Sequence, residues 1–193
     1  VLILASVSPR RRDLLAALGA RFEVRPADID EVRGPGEAPD AMVLRLAAAK
    51  ITAVAAPEGA IVLGADTAVV LDDEVYGKPT GEREALAMLA RLSGRTHLVY
   101  SGVAVYAGGR LTTALSRTEV RFREIAPAEA RRYWRTGEPA GKAGAYAIQG
   151  FGGLFVASIM GSYSGVVGLP VFETAGLLRD AGIDLLPDVR EGA

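Results

Sequence analysis

The chain has no cysteine and a single histidine, His97. The first absence removes disulfides, thiolate zinc sites and cysteine nucleophiles. The second removes histidine metal clusters and histidine proton relays, so any metal must be held by oxygen. Lysine is scarce as well: of 22 basic residues, only Lys50, Lys78 and Lys142 are lysine. The net charge of −1 gives no bulk basic field, so no nucleic-acid partner is expected. No apolar run approaches the roughly 20 residues of a membrane helix. Val1–Ala5 is too short for the apolar core of a signal peptide. These absences together fit a cytoplasmic protein with no membrane partner.

What is present is an ordinary globular composition. Half the residues are hydrophobic and 23% are charged, and 193 residues suffice for a sizeable core, as one domain or two small lobes. Val1–Ala5 reads as a buried strand. Ser8-Pro9 starts a helix, with Ser as N-cap and Pro at the first position, an apolar face of Leu14, Leu15 and Leu18, and Gly19 as its stop. Phe22–Arg25 is a short strand, and Asp28–Pro39 an acidic, Gly/Pro-rich mobile loop. Asp40–Ala56 is a helix with Val43, Leu46, Ala47 and Val54 on one face. Ala60–Leu71 is a central strand, turned by Asp72-Asp73 into a return strand at Glu74–Tyr76. Glu82–Leu92 is an amphipathic helix. His97–Tyr106 and Leu111–Phe122 flank Gly108-Gly109 as a hairpin. Pro127–Thr136 is a helix whose Trp134 reads as a packing anchor. Residues 137–168 hold nine glycines around a short strand at Leu154–Ile159, a composition that suggests backbone wrapped closely around something. Pro170–Ala181 is the last helix, and the tail after Asp184 is expected to fray. Strands alternating with helices, plus one long hairpin, give an α/β class with a mixed twisted sheet flanked by helices.

Several residues carry chemistry. Ser6-Val7-Ser8-Pro9-Arg10-Arg11-Arg12 joins a strand end to a helix start, where free N–H groups and the macrodipole favour an anion. Three arginines in that first turn oppose the dipole, and they make sense if an anion docks between them and the N–H groups. Lys50 lies at the helical offsets of Ala47, Leu46 and Val43, so it points along the apolar stripe; it either snorkels past the core edge or reaches a site there. Lys78 in Gly77-Lys78-Pro79 and Lys142 in Gly141-Lys142-Ala143-Gly144 are further point charges suited to phosphate. Asp66 is the only charge within Ala60–Leu71. A carboxylate buried in a strand costs several kcal/mol unless it is paired or metal-bound. Asp66 therefore reads as a cation ligand, a general base, or a structural carboxylate capping nearby N–H groups. Asp28, Asp30 and Glu31 supply further oxygens. His97 reads first as a hydrogen-bonded structural residue. Gln149, a neutral amide among glycines, can both donate and accept, as reading a base edge requires.

In order and spacing, several motifs resemble those of the Maf family of nucleoside triphosphate pyrophosphatases. They are Ala5-Ser6-Val7-Ser8-Pro9-Arg10-Arg11, Gly64-Ala65-Asp66-Thr67, Gly77-Lys78-Pro79, Gly94-Arg95-Thr96-His97, Lys142 through Gly150, and Val166-Val167-Gly168-Leu169-Pro170. The match runs from Leu4 to about Ala181. The resemblance implies a single Maf-type domain over residues 1–193, of inosine-triphosphate-pyrophosphatase type, with a cleft between two lobes. It implies hydrolysis of a nucleoside triphosphate to the monophosphate and pyrophosphate with Mg²⁺ or Mn²⁺, and a possible homodimer.

In that family the aspartate matching Asp66 is the proton acceptor, and the positions matching Arg11, Thr67 and Gln149 mark substrate choice. Ser-Pro-Arg-Arg with Ile-Gln-Gly resembles the dTTP/UTP branch. The alternatives are the sister branch acting on 7-methyl-GTP, and a regulatory nucleotide-binding protein acting in septum formation. The implied substrate contacts are Ser8, Arg10, Arg11, Lys50, Thr67, Lys78 and Gln149, and the implied metal ligands are Asp66 and Glu31. The chain departs from the family pattern at Gly141, where Asp is common, and at Gly165, where Asn is frequent.

Overall fold

Leu2–Ala5 (β1) contains no polar residue, and all four of its side chains are buried. A strand apolar on both faces belongs inside a sheet covered from both sides. β1 lies between Phe22–Arg25 (β2) and Ile61–Leu71 (β3) and runs parallel to both. Parallel neighbours need crossovers. Pro9–Ala17 (α1) and Pro39–Thr52 (α2) supply them. β3 then pairs antiparallel with Thr96–Ala107 (β5), which forms a long hairpin with Arg110–Phe122 (β6). Gly108 and Gly109, both at positive φ, make that turn. Val156–Met160 (β7) completes the order β2-β1-β3-β5-β6-β7, and Glu74–Tyr76 (β4) pairs with the far end of β3. The remaining helices are Glu82–Leu92 (α3), Pro127–Arg135 (α4), Tyr163–Val167 (α5) and Val171–Asp180 (α6). The computed structural model describes residues 1–186. From residue 187 on, the tail expected to fray after Asp184 lies outside the described residues. No helix among the described residues is long and apolar enough to cross a membrane.

The expected mixed sheet flanked by helices is the observed one, with local differences. Of the expected apolar face only Leu15 is fully buried; Leu14 is partly buried and Leu18 stands at the C-cap, outside α1. Ser8 occupies the N-cap position, but its side chain makes no capping bond; Ser6 Oγ instead accepts the Ser8 N–H at 3.1 Å. α2 ends at Thr52, four residues before the expected end. The expected strand at Leu154–Ile159 begins as a 3₁₀ segment, Phe151–Phe155, and becomes β7 only at Val156. α5 has too few residues to show a helical period and was not expected. Trp134 packs half-buried against the core, with Tyr133 beside it fully buried. The glycine-rich stretch does wrap closely, but around the protein's own groups. A Cβ on Gly144 would meet Val69, on Gly152 the Tyr133 hydroxyl, and on Gly161 Thr118.

Strand alternation sorts β3 into two faces. Val62, Ala68 and Val70 pack with Ile3, Ala5, Val43, Leu46 and Ala47 under α2. Leu63 and Ala65 pack with Leu2, Leu4, Leu15, Leu169 and Leu178 under α1 and α6. On the α2 side, Gly64 and Gly102 bring helix and sheet into backbone contact. A Cβ on Gly64 would overlap the Ala47 carbonyl oxygen, and one on Gly102 would lie 2.6 Å from the Val43 carbonyl. Backbone cannot move aside as a flexible side chain can. Gly64→Ala is therefore expected to destabilise by about 2–3 kcal/mol or more. Gly176→Ala, on a helix with open space around it, is expected to stabilise by about 0.5–1 kcal/mol. Urea unfolding of the two variants checks both signs; a Gly64→Ala protein as stable as wild type would rule out the close approach of α2.

Candidate active site

The sheet has an opening at its centre. β1 pairs with β3 only as far as Leu4↔Leu63, and β4 joins β3 only from Val69↔Tyr76. Between these points, Gly64–Ala68 has a strand neighbour on the β5 side alone. The opening lies beyond the carboxyl end of β1, where the sheet changes from parallel to antiparallel. In open α/β sheets ligands bind at such positions. Asp66 and Thr67 sit in this gap, and as consecutive strand residues they point to opposite faces.

On the α2 face, Lys50 meets Asp66. The Gly64 and Gly102 contacts bring α2 down onto the sheet, and Lys50 lies on the same helix face as Val43 and Ala47. Its ammonium sits 2.6 Å from Asp66 Oδ1, 2.8 Å from Glu31 Oε1 and 3.4 Å from the Ala65 carbonyl oxygen. The Lys50 side chain is 6% exposed and that of Asp66 10%, so the lysine ends in a buried ion pair and does not snorkel. An ammonium has three donors, and all three are taken; reaching a phosphate would mean releasing one of them. Lys78, largely exposed, approaches the other Glu31 oxygen at 3.5 Å. Burial pushes the Glu31 carboxyl up, but the hydrogen bond and charge of Lys50, helped by Lys78, hold it below its ordinary value. The loop expected to be mobile thus contributes a carboxylate to a fixed chain, Asp66–Lys50–Glu31–Lys78. Asp28 and Asp30 form no ion pair with it.

On the opposite face, Arg11 is the hub. Its Nε donates to the Gly168 carbonyl at 2.8 Å, Nη1 to Ser6 Oγ at 3.4 Å and Nη2 to Thr67 Oγ1 at 3.3 Å. Thr67 Oγ1 shares a further bond of 2.9 Å with Ser101 Oγ, and Ser101 donates to the Gly165 carbonyl at 2.6 Å. Burial lowers the Arg11 pKa, while Asp66 and Glu31 pull it back up; the two faces of the gap therefore feel each other's charge. Burial and repulsion from Arg11 lower Arg10. Lys142, which donates to the Ala140 carbonyl at 3.2 Å, is lowered by burial and by Arg10. Arg10, Arg11 and Lys142 thus make a crowded cationic region whose mutual repulsion an anion would relieve. The helix start there has no acidic residue in its first turn.

Of the residues singled out in the sequence, Asp66, Lys50, Glu31 and Lys78 come together on one side. Arg11 and Thr67 meet on the other, with Arg10 beside them and Ser8 at the head of α1. Gln149 is exposed at a turn. His97 is buried, with Nε2 2.9 Å from the Tyr146 hydroxyl. Burial lowers its pKa to about 4, so it is a neutral structural group. Gly141, at positive φ, faces open space, and Gly165 serves through its backbone. Ser6 was expected only as part of the Ser6–Arg12 cluster, and Ser101 and the Gly168 carbonyl were not anticipated. Ser101 faces Thr67 only through the β3–β5 register, which no local pattern reveals.

A family model described as Maf-like protein matches residues 1–181. The chain belongs to the Maf family. A relative named dTTP/UTP pyrophosphatase from Methylococcus capsulatus is 53% identical over 184 residues, covering 94% of this chain and 91% of the relative. Another of the same name, from Myxococcus xanthus, is 55% identical over 186 residues, covering 96% and 94%. Among solved structures, a nucleoside-triphosphatase / dITP/XTP pyrophosphatase from Mycobacterium abscessus covers 70% of this Maf chain and 92% of its own. Its TM-score is 0.40 and its identity 14%.

Proposed function

We propose that this protein hydrolyses dTTP and UTP to the nucleoside monophosphate and pyrophosphate, with Asp66 as the base. The observation that carries the reading is Asp66 itself: a buried carboxylate in a gap of the central strand, fixed through Oδ1 by Lys50, with a cationic region on the opposite face of the same gap. Arg10, Arg11, Lys78 and Lys142 supply the charge that draws a triphosphate into the gap, with Ser8 and the free N–H groups of α1 at its edge. Water attacks the α-phosphorus and gives its proton to Asp66. A new P–O bond forms, the anhydride bond between the α- and β-phosphates breaks, and its electron pair leaves on pyrophosphate. Positioning and electrostatics supply most of such catalysis.

Mg²⁺ or Mn²⁺ fits the donor chemistry of this place. Asp66 and Glu31 both direct an oxygen at one cationic nitrogen, within 2.6 and 2.8 Å. No group of three or more acidic or histidine residues suited to a metal occurs among the described residues. Mg²⁺ is commonly held by one or two carboxylates plus substrate phosphates, so Asp66 and Glu31 are the residues that would hold it. When bound, such an ion neutralises charge on the triphosphate and on the leaving pyrophosphate.

The relatives' names and Gln149 support the choice of base. Gln149 is exposed, so its amide is free to pair with the O4 and N3–H edge of thymine or uracil through one donor and one acceptor. Cytosine presents the reverse pattern there, so an amide held in one orientation is mismatched to it. Pyrophosphate release is expected to be faster from dTTP and UTP than from CTP, purine triphosphates or 7-methyl-GTP. Gln149→Glu is expected to lower dTTP use by about tenfold or more while leaving pyrophosphate inhibition unchanged. Faster hydrolysis of 7-methyl-GTP than of dTTP and UTP would overturn both the substrate reading and the role of Gln149.

A further inference from the structure

We propose that Glu138 and Tyr133 form a clasp that sets base preference by holding the Gln149 turn in place, a positioning role that rests on the reading of Gln149 above. Tyr133 is buried on α4, with its ring edge-on to Phe155 at 5.1 Å. Its hydroxyl donates to Glu138 Oε1 at 2.6 Å and accepts the Ala147 N–H at 3.1 Å. Glu138 Oε1 also accepts the Gly152 N–H at 2.9 Å, and Oε2 the Phe151 N–H at 2.9 Å. The amides on both sides of Gln149 are therefore tied to the same two side chains.

The glycines around the turn fit this arrangement. A Cβ on Gly150 would overlap the Glu138 carboxylate, and one on Gly152 would lie 2.6 Å from the Tyr133 hydroxyl. The turn closes on itself through Gly150 N–H to the Ala147 carbonyl at 3.2 Å. Gln149 is exposed, so the order of its turn depends on the backbone on either side of it. An amide that reads a base by one donor and one acceptor is useful only if its position and orientation are fixed. Three donors converge on Glu138, and the carboxylate is acceptor-only when ionised. Burial raises its pKa, but the Tyr133, Gly152 and Phe151 bonds bring it below the ordinary value. With the charge of Lys142 adding to this, the carboxylate is ionised, and the clasp closed, in neutral solution.

Glu138→Gln keeps the size of the side chain but sets an NH₂ against N–H donors. Tyr133→Phe keeps the ring and removes the hydroxyl. The test compares kcat/KM for dTTP and dCTP in wild type, Glu138→Gln, Tyr133→Phe and Gln149→Ala, alongside amide hydrogen exchange. Glu138→Gln, whose one carbonyl oxygen can still accept at the Oε1 position, is expected to free the Phe151 amide and to cut the dTTP-to-dCTP preference about tenfold, through a raised KM for dTTP. Tyr133→Phe is expected to free the Ala147 amide and produce a smaller loss of the same kind. A purely structural role would lower both substrates equally. The clasp is overturned if Gln149→Ala loses the preference while Glu138→Gln and Tyr133→Phe, folded and with those amides released, keep it. It is likewise overturned if the amides stay protected. Preference retained in Gln149→Ala would instead remove the reading of Gln149, and the clasp's role in specificity with it.

Discussion

Asp66→Asn is expected to fold normally and to lose activity by about 10²–10⁴-fold, the range a general base contributes. The amide is nearly isosteric and still accepts a hydrogen bond from Lys50, whose ammonium lies 2.6 Å from Asp66 Oδ1 in the native protein. What it loses is proton affinity and charge, so it can neither take the proton of the attacking water nor hold a divalent ion strongly. The loss should appear in kcat for dTTP, with circular dichroism and the melting temperature showing an intact fold. A folded variant turning over dTTP within a few-fold of wild type would leave Asp66 as a structural carboxylate.

Lys50→Met is expected to cost about 3–5 kcal/mol of stability, the penalty for removing one partner of a buried ion pair. The thioether fills the space of the stem, but Asp66 and Glu31 then face each other without the cation between them. In the Asp66→Asn background the same change should cost much less, because one of the two charges is already gone; the double-mutant cycle isolates that coupling. Mn²⁺ should raise the melting temperature of Lys50→Met more than that of wild type, since the ion replaces the missing charge. Activity is expected to fall at least about tenfold, as removal of a charge-assisted contact predicts. A Lys50→Met protein as stable and as active as wild type would return Lys50 to the role of a snorkelling side chain.

Much of this was legible because the signals were local. The helical spacing of Val43, Ala47 and Lys50 put the lysine on the buried face, and the isolation of Asp66 in an apolar run marked it as paired or reactive. Their meeting depends on Gly64 and Gly102, which look like weak points in a strand until the helix is seen against them. The Arg11 cluster at the start of α1 was read as an anion site. That its guanidinium is anchored by Gly168, Ser6 and Thr67 follows from pairings distant in sequence. The glycines of residues 137–168 were read as wrapping closely around something, but composition does not say what fills the space they leave. They accommodate Tyr133, Glu138, Val69 and Thr118.

The Arg11–Gly168 bond joins residues 157 apart in the chain, so the proposed site is complete only late in synthesis. During synthesis the strand carrying Asp66 and the helix carrying Lys50 leave the ribosome early, but the guanidinium across the gap has no anchor until the last third of the chain has been made and folded back. Closing so long a loop is among the slower steps of folding. On the proposed reading, a partly made or partly folded chain would hold Asp66 without the cationic side of the site, and triphosphate hydrolysis would belong to the finished molecule alone.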